Sequence, residues 1–285
     1  MLDLAAPRQF ALRSLDRLLA EGWNSKATAD GARPALRHVI AYSDPSAERR
    51  EVAGGLDDYA FTAIACLDAY EATADLSYFR FAQAIVMALV ERFFDAEAGG
   101  FFDTCLAADE ASKEKTALGI LGTRRKPFQD SPTPAGNPAA AIALLRLHGY
   151  TNDVSYRDKA ERTLEVYAGM AGHHGIFAAT YGLAAVRFIA GHTQIVVVGR
   201  DAVAAEIYRT AVRSQWVGTA VLRLDADKAV AQNLPPALAE TIPNLPALQE
   251  GRSFAVVCSG FACQAPVFDA LELAQALGTR ARPAA

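Results

Sequence analysis

Apolar residues recur at helical spacing along the first two thirds of the chain, and the period changes near residue 191. Phe10, Leu12, Leu15, Leu18 and Leu19 mark one face of a helix expected over 7–21, which Gly22 then stops. Residues 23–55 are polar and weakly periodic, with Arg37–Tyr42 as a short strand inside a long loop. From Asp57 the pattern is helical again. Tyr59, Ile64, Leu67 and Tyr70 form a stripe, and Ala60, Ala63 and Ala69 let a neighbour pack closely. A second helix is expected over 77–94.

The junction between these two helices, Thr73-Ala74-Asp75-Leu76-Ser77-Tyr78, has a near copy in Thr151-Asn152-Asp153-Val154-Ser155-Tyr156. In both copies an apolar helix precedes and another follows, and the Asp or the Ser is placed to cap the second. Two hairpins on one plan imply a repetitive helical array, each hairpin burying its face against the next. A further helix is expected over 177–189. Between the hairpins lies a long connection, 95–138. It opens as a turn and a short aromatic strand ending at Asp103, then carries Arg124, Arg125, Lys126, Asp130, four prolines and Gly136. Loops this long inside compact domains are functional or disordered.

Past Gly191 the period shortens. Gln194–Gly199 is a β-branched run suited to a buried parallel strand, and 201–213 reads as a helix. Strands over 217–224 and 254–258 and a helix over 269–277 complete a small α/β unit with a βαβ element. The expected architecture is therefore mainly α: a helical-hairpin domain over 1–191 and a small α/β domain over 192–285.

Composition narrows the partners. With 285 residues, 52% of them hydrophobic, the chain has ample core material, and its net charge of −4 with scattered Lys and Arg excludes a phosphate-backbone footprint. No apolar run suits a bilayer, and the N-terminus lacks the layout of a signal peptide, so a cytoplasmic protein is expected, with neither nucleic acid nor membrane as partner. The four cysteines are expected to be free thiols. Cys258 and Cys263 lack the second close pair a zinc ribbon needs, so neither metal nor cofactor is expected.

Several passages together resemble one family: Leu56-Asp57-Asp58-Tyr59-Ala60-Phe61, Tyr70-Glu71-Ala72-Thr73, Gly99-Gly100-Phe101-Phe102-Asp103-Thr104, Pro134-Ala135-Gly136-Asn137, and the segment from Val257 to Pro266. They look like the thioredoxin-domain-containing family of spermatogenesis-associated protein 20. The resemblance implies an (α/α) toroid similar to six-hairpin glycosidases, followed by a small α/β region. This chain matches the C-terminal part of that pattern, with no Cys-x-x-Cys and about half the helices of a closed toroid. A partial toroid leaves apolar helix faces open, so a homodimer covering the open face is expected, or closure by the C-terminal unit.

Candidate chemistry follows the carboxylates. Asp57 and Asp58 open a helix; one suffices as a cap, and the other is free for general acid work. Asp103 ends the aromatic strand, and two carboxylates on the order of 5–10 Å apart would suit glycoside hydrolysis. Bracing the turn is the competing role for Asp103. Asp130 is the fourth candidate acid. Tyr59, Arg124, Lys126, Asn137 and His38 are candidates for holding a small, sugar-like ligand, with N-capping as the alternative for Asn137 and exposed ion pairing for Lys126 and Asp130. The resemblance supports Lys126, Asp130, Gly136 and Asn137, although Ser131 and Ala135 depart from the family's Gly and Ser. The expected function is a carbohydrate-active-like scaffold, hydrolytic if active. The alternatives are a non-catalytic ligand-binding or interaction module, or promiscuous ester or phosphoester hydrolysis.

Overall fold

The computed structural model describes residues 4–24, 34–40, 52–105, 123–214, 216–260 and 262–278. Helix α1 spans Ala5–Gly22 and buries Leu15 and Leu19, while Phe10 stays exposed. A two-residue ladder follows, β1 (Trp23–Asn24) against β2 (Ala35–Leu36). The strand expected at 37–42 is thus moved forward. Arg37 makes only a bridge to Ala53, and residues 41 and 42 lie outside the described set.

The first hairpin pairs α2 (Leu56–Thr73) with α3 (Leu76–Phe93), and the second pairs α4 (Gly136–Thr151) with α5 (Val154–Ala168). The repeated junction is built alike in both. Ala74 and Asn152 take the left-handed conformation and return their N–H groups to Tyr70 and His148. Asp75 and Asp153 cap the second helices through Ser77 and Ser155 N–H, each at 2.9 Å. The Thr before each junction donates to the preceding turn and accepts from the capping Asp's N–H. Of the two capping candidates at each junction, Asp is the cap.

Helix α4 is buried nearly all round, with Ala139, Ala140, Ala141 and Ala143 in the core. An all-apolar helix belongs at the centre of a fold, and α4 packs against α2, α5 and α6 (Ala179–Ala190). A 3₁₀ segment, Ala171–Ala178, leads into α6.

The α/β unit holds a sheet in the order β4-β3-β5-β6. Strand β3 (Thr193–Val198) pairs in parallel with β4 (Thr219–Leu224) and antiparallel with β5 (Phe254–Ser259), which pairs with β6 (Ala262–Cys263). Helix α7 (Ala202–Arg213) makes the parallel crossover, its N-terminus capped by Asp201 accepting from Ala204 N–H at 2.8 Å. Helix α8 (Ala270–Gly278) packs on α7. The free-thiol expectation fails at the sheet edge, because β5 and β6 place Cys258 opposite Cys263 and the two form a disulfide. Cys66 and Cys105 stay reduced, and burial pushes the Cys66 thiol up to about 12. One hydrophobic cluster runs from α1 through both hairpins to β3, β4 and β5, and a second lies between the sheet and α7 and α8.

Candidate functional site

The predicted site residues gather where the N-termini of α2 and α4 meet the connection between the hairpins. Asp58, in the first turn of α2, accepts from the Gly55 N–H at 2.8 Å, and His38 Nδ1 lies 2.9 Å from the same oxygen. Asp58 thus closes the helix start and holds a half-exposed His. Tyr59 is buried, its hydroxyl accepting from Leu36 N–H at 2.8 Å and its ring edge-on to Phe93; burial raises its pKa.

Asp57 is different. Its carboxyl pKa is raised, first by burial and then by the charges of Asp58 and Asp103, although its surface remains open to solvent. It lies against Gly136 at the start of α4, where an added Cβ would stand 2.1 Å from Oδ1. Only glycine permits that approach, and the positive end of α4 favours a carboxylate there.

Asp103 is drawn into the backbone. Its carboxylate accepts from Arg125 N–H at 3.0 Å, its own N–H donates to Arg125 O, and its carbonyl accepts from Leu56 N–H. It braces the loop to α2 rather than the 95–100 turn. Asp130 is engaged by two helix starts, accepting from Ala135 N–H at 2.9 Å and Thr180 N–H at 2.8 Å.

Asn137 is inside the first turn of α4, since Ala135 is the N-cap position. It is 0% exposed, accepting from Phe101 N–H at 2.6 Å and donating to the carbonyls of Phe101 and Pro127. Lys126 Nζ donates to Asp95 at 2.7 Å and to Gly99 O at 2.6 Å, and that hydrogen bond, with those from Ala98 and Glu97 N–H, holds the Asp95 carboxyl down to about 2. Arg124 stacks over Phe102 with Cζ 3.6 Å from the ring centroid. The structure therefore brings Asp57, Asp58 and Asp103 together electrostatically and commits most of the predicted residues to hold backbone. Among the described residues, no three His, Cys, Asp or Glu side chains converge as a metal would require.

The other end of α4 was less visible in the sequence. Arg146 is buried and donates to Asp68 and Glu71, both at 2.7 Å, and Tyr150 donates to Glu71 at 2.9 Å. Glu71 belongs to a passage that carried the family resemblance, and its partner Arg146 gave no signal of its own. Beyond Gly149, the ring of His192 packs so closely that an added Cβ would sit 2.1 Å from it. A glycine inside an apolar helical run was the available signal.

The folded chain is thus a mainly helical protein of two repeated hairpins joined to a small mixed sheet. It is homologous to the spermatogenesis-associated protein 20 family, and the resemblance carried by its motifs stands. The human protein of that name is 29% identical over 228 residues, which is 79% of this chain and 27% of the human one. The rat protein is 33% identical over 115 residues, 40% of this chain and 13% of its own length. The chain therefore spans about a quarter or less of the relatives it matches. No family model matches it.

Proposed function

We propose that this chain acts as a non-catalytic ligand-binding module, built on what would be part of an (α/α) toroid, with 1–191 as its helical domain and 192–285 as its α/β domain. The observation that carries this reading is the bonding at the α2 and α4 N-termini. Asp58, Asp103, Asp130, Lys126 and Asn137 each bond to backbone groups, and Lys126 also to Asp95 and Asp58 to His38. Acid and base groups committed to helix starts are poorly placed to move protons on a substrate.

One observation favours the hydrolytic reading: Asp57 is open, has a raised pKa and stands beside two further carboxylates, as a general acid would. Aryl glycosides and aryl esters, offered to the wild type and to Asp57→Asn, Asp58→Asn and Asp103→Asn, decide between the two. No turnover above background is expected from any of them. Turnover in the wild type that Asp57→Asn abolishes overturns the module and makes the chain a hydrolase.

The homodimer belongs to the same proposal. Ile176, Phe177 and Leu183 leave apolar surface exposed along the 3₁₀ segment and α6, and such a strip is a docking face for a second copy.

A further inference from the structure

Between the C-terminal ends of α4 and α6 and the start of the sheet lies a cleft of about 1230 Å³. Val186, Phe188 and Ile189 from α6, Leu145 from α4, Leu238 and Trp216 supply much of its wall. Its charged and ionisable lining is Arg157, Arg187, His148 and His192, and among the described residues that line it there is no Asp or Glu.

Two of these groups make no hydrogen bond among the described residues. Arg187 is mostly buried, yet among the described residues its guanidinium makes no hydrogen bond or ion pair. The nearby carboxylates that act on it, Glu71 and Asp68, are both bonded to Arg146 instead. Its position in the last turn of α6 suits the helix dipole, but this leaves the guanidinium's donors unused. The second group is His192, whose two ring nitrogens are buried with no partner. Burial, aided by Arg187, Arg146 and His148, pushes its pKa down to about 3, so the ring is neutral and the Arg187 guanidinium is the charged group beside it. A guanidinium at a cavity wall whose donors make no hydrogen bond to protein is open to an anion entering the cavity.

We propose that this cleft binds an organic monoanion with an apolar body, its carboxylate paired with Arg187 and its chain against Leu145, Val186, Ile189 and Leu238. A single unpaired guanidinium matches a single carboxylate, which it engages with two parallel hydrogen bonds. Arg157, whose ion pair with Glu161 is long at 3.5 Å and whose guanidinium lies over the Phe188 ring, flanks the same wall. The proposal rests on the ligand-binding reading of the module and gives that ligand a chemical class.

Trp216 on the cleft wall is 73% exposed and reports on binding. In the full chain carrying Trp23→Phe it is the sole indole, since the sequence has two tryptophans. Dodecanoate, titrated below micelle formation, is expected to shift its emission to the blue in a saturable way, and dodecan-1-ol to bind about tenfold or more weakly. Arg187→Ala is expected to lose a similar factor, and Arg187→Lys to keep part of the affinity. Absence of saturable binding, or equal affinities for the acid and the alcohol, overturns the proposal. So does an Arg187→Ala protein that melts like the wild type and binds dodecanoate as well. Should Arg187→Ala not fold, the acid-to-alcohol ratio in the Trp23→Phe protein decides alone. None of these outcomes depends on the glycoside and ester assays, whose failure would instead be turnover lost with Asp57.

Discussion

The two ends of helix α4 carry opposite electrostatics and opposite states of satisfaction. At its N-terminus stand carboxylates, with Asp57 against Gly136 and Asp58 and Asp103 nearby; at its C-terminus stand the guanidinium groups of Arg146 and Arg187, the first paired with Asp68 and Glu71, and the neutral ring of His192. Both arrangements follow the helix dipole, positive at the start and negative at the end. What separates them is the bonding. The N-terminal end closes on itself through hydrogen bonds to backbone, whereas the C-terminal end keeps a buried imidazole without a partner and, among the described residues, a guanidinium with no hydrogen bond. Clustered polar residues therefore do not by themselves mark a ligand site; unspent hydrogen-bonding capacity beside a cavity is the better guide.

The sharpest way to break this contrast uses the two buried amides. Asn137→Ala removes three hydrogen bonds and strands the Phe101 and Pro127 groups, so a loss of about 3 kcal/mol or more is expected in urea unfolding. Gln194 sits at the other end, donating to Gly149 O while its own Oε1 is unpaired. Gln194→Met is expected to cost less than about 1.5 kcal/mol, because it deletes an unsatisfied acceptor with the single bond. Equal losses at the two sites would erase the distinction.

Acid titration separates the ends by pH window. His192 has a folded pKa of about 3, below its ordinary value, so its contribution is complete above pH of about 6.5 and is lost as pH falls from there toward 3. The slope is at most about 1.4 kcal/mol per pH unit, and His192→Phe flattens it. Asp95, held down to about 2 by Lys126, contributes stability that is present above pH of about 4 and disappears only as pH falls toward 2, and Lys126→Met removes that step. Thermal melts across pH 2–8 measure both. If His192→Phe retains the upper slope, His192 is not buried as described.

The smallest effect belongs to Asp57. Its folded pKa is raised, so its charged form is less favoured folded than unfolded, and stability falls as pH rises through that range. Asp57→Asn is expected to melt slightly higher than wild type at neutral pH, by less than about 0.5 kcal/mol because the group is solvent-screened. A clear loss of stability would mean that the carboxylate holds α4 through its helix start.

Much of the architecture was legible in advance because it is local. The Thr-x-Asp-x-Ser-Tyr junctions carry their own caps, and the β-branched run at 194–199 and the helix over 201–213 follow from periodicity and an Asp cap. The strand at 37–42 misled because its apolar letters lie in a loop, where pairing with Trp23–Asn24 falls on Ala35–Leu36 instead. N-capping is the alternative that Asn before Pro suggests for Asn137; the chain enters α4 two residues earlier and buries it.

The sequence by itself determined the helices, their caps and the strands, since these depend on neighbours within a few residues. Tertiary structure alone decided which polar groups would be used up. Asp130 meets Thr180, Asn137 meets Phe101 and Arg146 meets Glu71 only after the hairpins pack. Whether Arg187 and His192 find partners is likewise a property of surroundings assembled from four separate stretches of chain, and hydrogen bonds and charges act through space with no periodicity to betray them.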